Sequence, residues 1–231
     1  MGYLANRGTA VEYFVEGGRS RTGRKLKAKP GLLAMSVRSY LRDHKRSVVF
    51  IPVNFAYEKL VEGETYVNEL SGKPKKSESV MGVLRSFKAL KDHFGQVHVN
   101  FGSPIYLDKL IEAERPQWRR EDCADNKELV NAVVSKLGTQ IMSGINEATH
   151  VNCVGLLAMA LLNTPEQSMS EADLMTQFDL YLALLDAAPY SKDVTRIELN
   201  AKEIIAYGEE FGIVKRGVGE SGERLYVEGS D

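Results

Sequence analysis

The chain has 231 residues, 43% hydrophobic and 26% charged, which suits one large globular domain or one and a half with a buried core. No apolar run reaches the roughly 18 residues a membrane-spanning helix needs, and the opening MGYLANRG lacks the apolar core of a signal peptide. The net charge of −1 hides two opposite halves, +7 over residues 1–149 and −8 over residues 150–231, so the first half is built to face anions and the second is not.

Ala10–Val15 is a short β-rich run that meets Gly17-Gly18, and predicts a strand ending in a loop. Pro30-Gly31 punctuates the loop, and Leu32, Leu33, Val37, Tyr40 and Leu41 then follow a helical period over Gly31–Asp43. Ser47–Phe55 (SVVFIPVNF) is apolar almost throughout, the pattern of a strand buried on both faces of a parallel sheet. Pro52 within it lacks a ladder donor and belongs at an edge, end or bulge. Lys59–Ser77 reads as loop, Val80–Leu90 as an amphipathic helix, and Gln96–Phe101 as a third strand. Strand, helix, strand, helix, strand predicts an α/β fold with a mostly parallel sheet flanked by helices. Residues 108–124 read as a charged excursion and Asp125–Ala148 as a long helix.

The texture changes near 150. Val151–Leu162 reads as a buried helix. Ser170-Glu171-Ala172-Asp173 resembles a capping box ahead of Leu174, Phe178, Tyr181, Leu182 and Leu185. A shorter helix near Glu198–Phe211 precedes two short strands around Gly-Glu-Ser-Gly. The expected division is residues 1–150, an α/β domain, and residues 151–231, a mainly helical domain ending in a small β-hairpin. Helix, helix, hairpin is also the outline of a winged-helix nucleic-acid module. The charge of −8 over residues 150–231 has the wrong sign for a phosphate backbone. Cys123 and Cys153 show no metal spacing and indicate a reducing compartment.

The most specific stretch is Phe14-Val15-Glu16-Gly17-Gly18-Arg19-Ser20-Arg21-Thr22-Gly23-Arg24. A guanidinium is a planar fork of donors matching phosphate oxygens and stays charged at any working pH. Glycines let backbone N–H groups approach an anion closely. Just past a strand's C-terminal end is where open α/β sheets bind ligands. These features point to a phosphate monoester held by Gly17, Gly18, Arg19, Ser20, Arg21 and Arg24. Glu16 either orients the arginines or meets a substrate hydroxyl. Lys25, Lys27 and Lys29 read as a solvated basic loop. The stretch is neither a Walker A motif nor G-x-G-x-x-G.

FVEGGRSRTGR followed by Pro30-Gly31 resembles the second conserved block of the bacterial membrane-associated glycerol-3-phosphate acyltransferases. VVFIPVNFAYEKL (48–60) resembles the third, and VHVNFGSPIYL (97–107), with its F-G-x-P, the fourth. FDLYLALLDAAPYS (178–191) is similar to the family's tail. The resemblance implies transfer of a fatty acyl group from acyl-CoA or acyl carrier protein to the sn-1 hydroxyl of glycerol 3-phosphate, in phospholipid synthesis. It implies that the Arg-rich block holds the substrate phosphate and that Pro52 and Pro104 shape the pocket wall. It implies no cofactor beyond the acyl donor, and peripheral attachment to an anionic membrane surface at the cytoplasmic face of the bacterial inner membrane.

The family's chemistry also uses an H-x-x-x-x-D block, whose His is the general base and whose Asp orients it. Here the residues five after His44, His93, His98 and His150 are Val49, His98, Ser103 and Gly155. The block is absent, the four histidines read as structural or surface residues, and the chain reads as a fragment with the substrate-binding half only. The alternatives are a non-catalytic remnant binding a phosphorylated ligand or acyl carrier protein, and the winged-helix module.

Overall fold

Pro30 opens the first helix among the described residues, where its missing N–H would have no partner anyway and its fixed φ suits the first turn. The computed structural model describes residues 8–18, 20, 24–59, 95–120, 123–219 and 222–227. It divides into two compact units, one of Met1–Asn54 with Phe101–Ala148 and one of Phe55–Asn100 with Thr149–Asp231.

In the first unit, α1 (Pro30–Arg42) buries Leu33, Val37, Tyr40 and Leu41. The apolar run after it forms two strands, β1 (Val49–Phe50) and β2 (Val53–Tyr57), interrupted at Ile51-Pro52. Pro52 cannot donate, but its carbonyl accepts from Gly102 N–H at 2.8 Å. β1 pairs antiparallel with β4 (Ile105–Tyr106), Val49 opposite Tyr106, and β2 pairs with β3 (Val97–Phe101), strands most of whose residues fall in the second unit. The segment read as a charged excursion contains α2 (Leu107–Glu114) and a 3-10 turn at Trp118–Arg120. Lys109 and Glu112 are exposed and Asp108 and Glu114 half-buried, while Leu107, Leu110 and Ile111 are buried at helical spacing and Trp118 is buried in the turn. α3 (Lys127–Glu147) is capped by the Asn126 side chain, which accepts from Leu129 N–H, and buries Val130, Val133, Leu137 and Ile141.

Two expectations fail here. Ala10–Val15 is not a strand; Val15 O accepts a single bond from Lys29 N–H at 2.8 Å, and among the described residues no neighbouring strand extends this into a ladder. Nor is the run 47–55 buried on both faces: Val49 is 41% exposed, Ile51 55% and Phe55 42%. Apolarity at every position measured composition, while actual cover depends on what packs above. The described residues form a mixed helix-and-strand fold of small sheets, consistent with the α/β class, in which β1 with β4 is antiparallel. The helix expected over Val80–Leu90 and the loop over Lys59–Ser77 lie outside the described residues.

In the second unit, β5 (His150–Val151) leads into α4 (Cys153–Leu161), capped by Asn152. β6 (Ser168–Met169) precedes α5 (Glu171–Ala187), whose cap Ser170 accepts from Asp173 N–H as its sequence suggests. β7 (Thr195–Arg196) pairs parallel with β5. α6 (Ala201–Glu210) opens with a full capping box of Asn200 and Glu203. β8 (Val214–Gly219) and β9 (Gly222–Val227) pair antiparallel, and β6 joins β9 in the order β6-β9-β8. Leu156, Leu157, Leu161, Leu174, Phe178, Ile204 and Ile205 form the core. On α5 only Leu174 and Phe178 are fully buried; Tyr181, Leu182 and Leu185 are half-buried.

Candidate functional site

The glycine pair begins with a turn. Gly17 sits at φ +63°, the left-handed region that side chains avoid, and its N–H donates to Phe14 O at 3.1 Å. A Cβ on Gly17 would lie 2.9 Å from Lys29 Cγ, whereas Gly18 has open space within 4 Å. Glu16 is half-buried, and its Oε2 accepts from Leu26 N–H at 2.9 Å. That bond ties the two ends of the Arg-rich stretch together. Ser20 is half-buried and Arg24 exposed, and each is engaged in an interaction. Arg19 and Arg21 lie outside the described residues.

Pro52 occupies a different kind of place. It is buried, and its ring packs where two glycines leave room. A Cβ on Gly144 of α3 would lie 2.6 Å from Pro52 Cγ; one on Gly102 would lie 3.0 Å from Gly144 O and 3.3 Å from Pro52 Cβ. Pro52, Gly102 and Gly144 thus form one close-packed layer, rigid because a prolyl ring and two backbones have nowhere to yield. Asn54 Nδ2 anchors the following strand to Ile145 O at 3.1 Å. Pro104 is exposed, two residues past Gly102 and just ahead of β4. The structure brings together Glu16, Gly17 and Gly18 in one turn, and Pro52 with Gly102 in another place.

The second unit holds a polar cluster to which the sequence reading gave no role. Glu58 is buried to 8% exposure; its Oε2 accepts from Tyr207 OH at 2.5 Å and from Gln96 N–H at 2.7 Å. Burial first, then the bond to Glu58, pushes the Tyr207 phenol above its ordinary pKa. His98 and His150 stack with ring centroids 3.6 Å apart. His150 Nδ1 meets Thr195 Oγ1 at 2.8 Å, and Asn100 Nδ2 donates to the same oxygen at 2.6 Å. Desolvation, then the His98 ring, hold the His150 pKa below the usual imidazole value against the opposing pull of Glu58. Burial, with Glu58 second, pushes the Cys153 thiol up to about 11, so it stays protonated at neutral pH. The sequence signal for this cluster was slight: one acidic residue following an apolar strand, and histidines 52 positions apart. Among the described residues no group of three or more His, Cys, Asp or Glu is placed to hold a metal ion. Nor is any helix among them long and apolar enough to cross a membrane.

Comparison with known proteins gives this geometry a family. Residues 66–230 match the family model described as glycerol-3-phosphate acyltransferase C-terminal region. The chain is 45% identical to the glycerol-3-phosphate acyltransferase of Xanthomonas campestris pv. campestris, over 96% of this chain and 25% of that protein. It is 42% identical to the enzyme of the same name from Pseudomonas fluorescens, over 97% of this chain and 27% of that protein. The chain therefore spans about a quarter of the length of the curated relatives it matches. Since the family model covers well over half of its residues, the chain belongs to the glycerol-3-phosphate acyltransferase family, within the C-terminal region.

Proposed function

We propose that this chain supplies the substrate-binding half of a glycerol-3-phosphate acyltransferase. In the reaction, a general base takes the proton of the sn-1 hydroxyl. The oxygen then attacks the thioester carbonyl of acyl-CoA or acyl carrier protein, and the thiolate leaves. The product is 1-acylglycerol 3-phosphate, a phospholipid precursor. The Arg-rich block, Gly17 to Arg24, clamps the phosphate, which does not react; its contribution is binding and orientation. Pro52, with Pro104 nearer the surface, lines the adjoining wall. The finer architecture that accompanies this reading is an acyltransferase-type, mostly parallel sheet over residues 1–150 and a helical accessory domain over 151–231. The site of action is the cytoplasmic face of the inner membrane, with the basic half against anionic lipid.

The observation that carries the reading is the turn at Gly17, left-handed at φ +63°, with open space around Gly18 immediately before Arg19. A turn with open space at Gly18, followed in sequence by Arg19, Arg21 and Arg24, suits a phosphate monoester. General-base catalysis is typically worth about 10²–10⁴-fold in rate, and no H-x-x-x-x-D occurs in these 231 residues. The 231-residue chain is therefore expected to bind glycerol 3-phosphate in calorimetry without turning it over, and native-like acyl transfer by it would overturn the account. In a full-length relative, Arg19→Ala at the equivalent position should chiefly raise KM for glycerol 3-phosphate. A change confined to KM for the acyl donor would assign the block to the wrong substrate.

The winged-helix reading has an observation in its favour, the order α4, β6, α5, α6, β8, β9 with strands arranged β6-β9-β8. Against it, α6 carries Glu203, Glu209 and Glu210 with a single lysine, Lys202, and Tyr207 on it is bonded to Glu58. An acidic helix occupied by an acidic partner is unsuited to a nucleic-acid groove.

A further inference from the structure

Two imidazole rings of the second unit lie face to face, and among the described residues no carboxylate bonds to either. The His150 ring of β5 rests on His98 of β3 with 16° between the planes. Both β3 and β5 also reach for one oxygen of β7: His150 Nδ1 and Asn100 Nδ2 meet Thr195 Oγ1 at 2.8 and 2.6 Å. We propose that the stacked His98–His150 pair is an acid-released latch, which holds the Thr195 segment on β5 at neutral pH and lets it part when a ring is protonated.

An added proton finds no partner in either tautomer of His150. Where the Thr195 hydroxyl donates to Nδ1, the ring hydrogen sits on Nε2. A second proton then turns Nδ1 into a donor, and Thr195 Oγ1 must accept from His150 and Asn100 together and aim its own hydrogen elsewhere. Where Nδ1–H donates to Thr195, the second proton falls on Nε2, which is buried without an acceptor. His98 gives no relief. Its Nε2 is also buried without a partner, and centroids 3.6 Å apart would set one cation against the other. The surrounding titratable groups are already engaged. Glu58, just past β2, accepts through Oε2 from Tyr207 OH of α6 and from Gln96 N–H; Cys153 of α4 stays protonated at neutral pH; Arg196 of β7 donates to Asp186 of α5. The lowered pKa of His150, set by burial first and His98 second against the pull of Glu58, agrees with this geometry.

The element that the latch holds is short. β5 and β7 share two residue pairs, with backbone bonds from Thr195 N–H to Thr149 O and from Ile197 N–H to Val151 O, both 3.1 Å. Ile197 is 9% exposed and part of the core, so it stays in place. Thr195 is exposed, and water can take over its bonds. The Arg196–Asp186 pair ties β7 to α5 rather than to β5 and does not oppose the parting. The expected motion is therefore a local opening at Thr195, ahead of Ile197, with the core intact.

Native-state hydrogen exchange of the 231-residue chain, read by NMR at the Thr195 and Phe178 amides, tests this. Phe178 of α5 is 0% exposed and reports global unfolding. With an imidazole pKa of about 6.5 in the open form and a lower one in the latched form, protection at Thr195 should fall up to about tenfold between about pH 7.5 and 5.5, after correction for the intrinsic rate. Low concentrations of urea should hardly change exchange at Thr195 and should speed it steeply at Phe178. The His150 ring resonances should titrate over the same pH range. His150→Asn keeps a polar partner for Thr195 and should remove most of the response; the double variant His98→Asn, His150→Asn should remove all of it. Circular dichroism checks folding. Should the variants misfold, coincidence of the ring titration with the loss of Thr195 protection in the unaltered chain decides. Three results would overturn the proposal: Thr195 exchanging at the rate and urea dependence of Phe178, rings that titrate with no change at Thr195, or the full pH response in a folded double variant. No glycerol 3-phosphate enters these measurements, so the acyl-transfer reading stands or falls separately.

Discussion

Replacing Gly144 by alanine sets two known effects against each other at the wall of the candidate site. In a helix interior alanine is favoured over glycine by about 1 kcal/mol. Opposing this, the new methyl would lie 2.6 Å from Pro52 Cγ and 3.1 Å from Pro52 Cβ, well inside the roughly 3.5–4.0 Å of comfortable carbon contact. Neither side can give way cheaply. The proline ring fixes its own φ, its carbonyl is tied to Gly102 N–H at 2.8 Å, and Gly144 lies within the 21-residue helix α3. Overpacking of this kind costs about 1–3 kcal/mol, so after the helix-propensity gain the expected net effect is a loss of about 0–2 kcal/mol. For a chain of this size that is about 2–4 °C in Tm for each kcal/mol. Urea unfolding of the parent, Gly144→Ala, Pro52→Ala and the double variant measures it. With Pro52 cut back to alanine the 2.6 Å contact with Cγ goes and the 3.1 Å contact with Cβ remains, so Gly144→Ala should become clearly less destabilising, a coupling of about 1–2 kcal/mol. If Gly144→Ala stabilises the parent by the full helix-propensity gain, and by the same amount in the Pro52→Ala background, the close-packed layer is not there.

Gly17→Ala should cost about 1 kcal/mol from its left-handed backbone, with Gly17→Asn milder; the nearby Lys29 side chain can swing away and adds little. In a full-length relative the same change should raise KM for glycerol 3-phosphate, read from initial rates. Tyr207→Phe leaves the buried Glu58 with the Gln96 N–H alone, and should cost about 1–3 kcal/mol in urea unfolding. The His150 imidazole, faced by His98, Glu58, Thr195 and Asn100, has its folded pKa held below the unfolded value near 6.5. Its neutral form is the one the fold prefers. Stability from it is therefore complete above about pH 6.5 and is lost as pH falls through that value toward the lower folded pKa. His150→Asn should flatten this limb in urea midpoints measured from pH 7.5 to 5.

Local chemistry was the legible part of this chain. Pro30 starting α1, Asn126 and the long helix after it, and Ser170 capping α5 all follow from interactions within four residues of the sequence. The helix α2 was hidden because Asp108, Lys109, Glu112 and Glu114 dominate its composition, although Leu107, Leu110 and Ile111 kept the helical spacing. The strand over Ala10–Val15 failed for a non-local reason: β propensity needs a ladder partner, and the described residues offer this segment one hydrogen bond from Lys29. Of the candidate site, the glycine pair was read as a place where backbone approaches an anion, whereas the left-handed backbone of Gly17 came only with the structure. That Pro52 rests on Gly144 was not readable, because the contact joins positions 92 apart and each glycine alone signals only a weakened element. Glu58 and Tyr207 were beyond reach for the same reason.

The described histidines also bear on whether another residue stands in for the missing general base. A base must reach the substrate hydroxyl with a free ring nitrogen while its other nitrogen is oriented by an acceptor. His150 spends Nδ1 on Thr195, and its Nε2 is buried with no partner against the stacked His98 ring. His98 has its own Nε2 buried without a partner in the same stack. The nearby carboxylate gives no help, since Glu58 Oε2 already accepts from a tyrosine hydroxyl and a backbone N–H. His44 packs edge-on to Trp118 at 5.1 Å, a ring contact that also involves Tyr40. Each of these rings is held by packing, and none combines an open nitrogen with an orienting acidic partner. If the Arg-rich block clamps phosphate as proposed, these 231 residues are expected to bind glycerol 3-phosphate without turning it over. A titration that saturates while product formation stays at background is therefore the outcome that best fits the residues present.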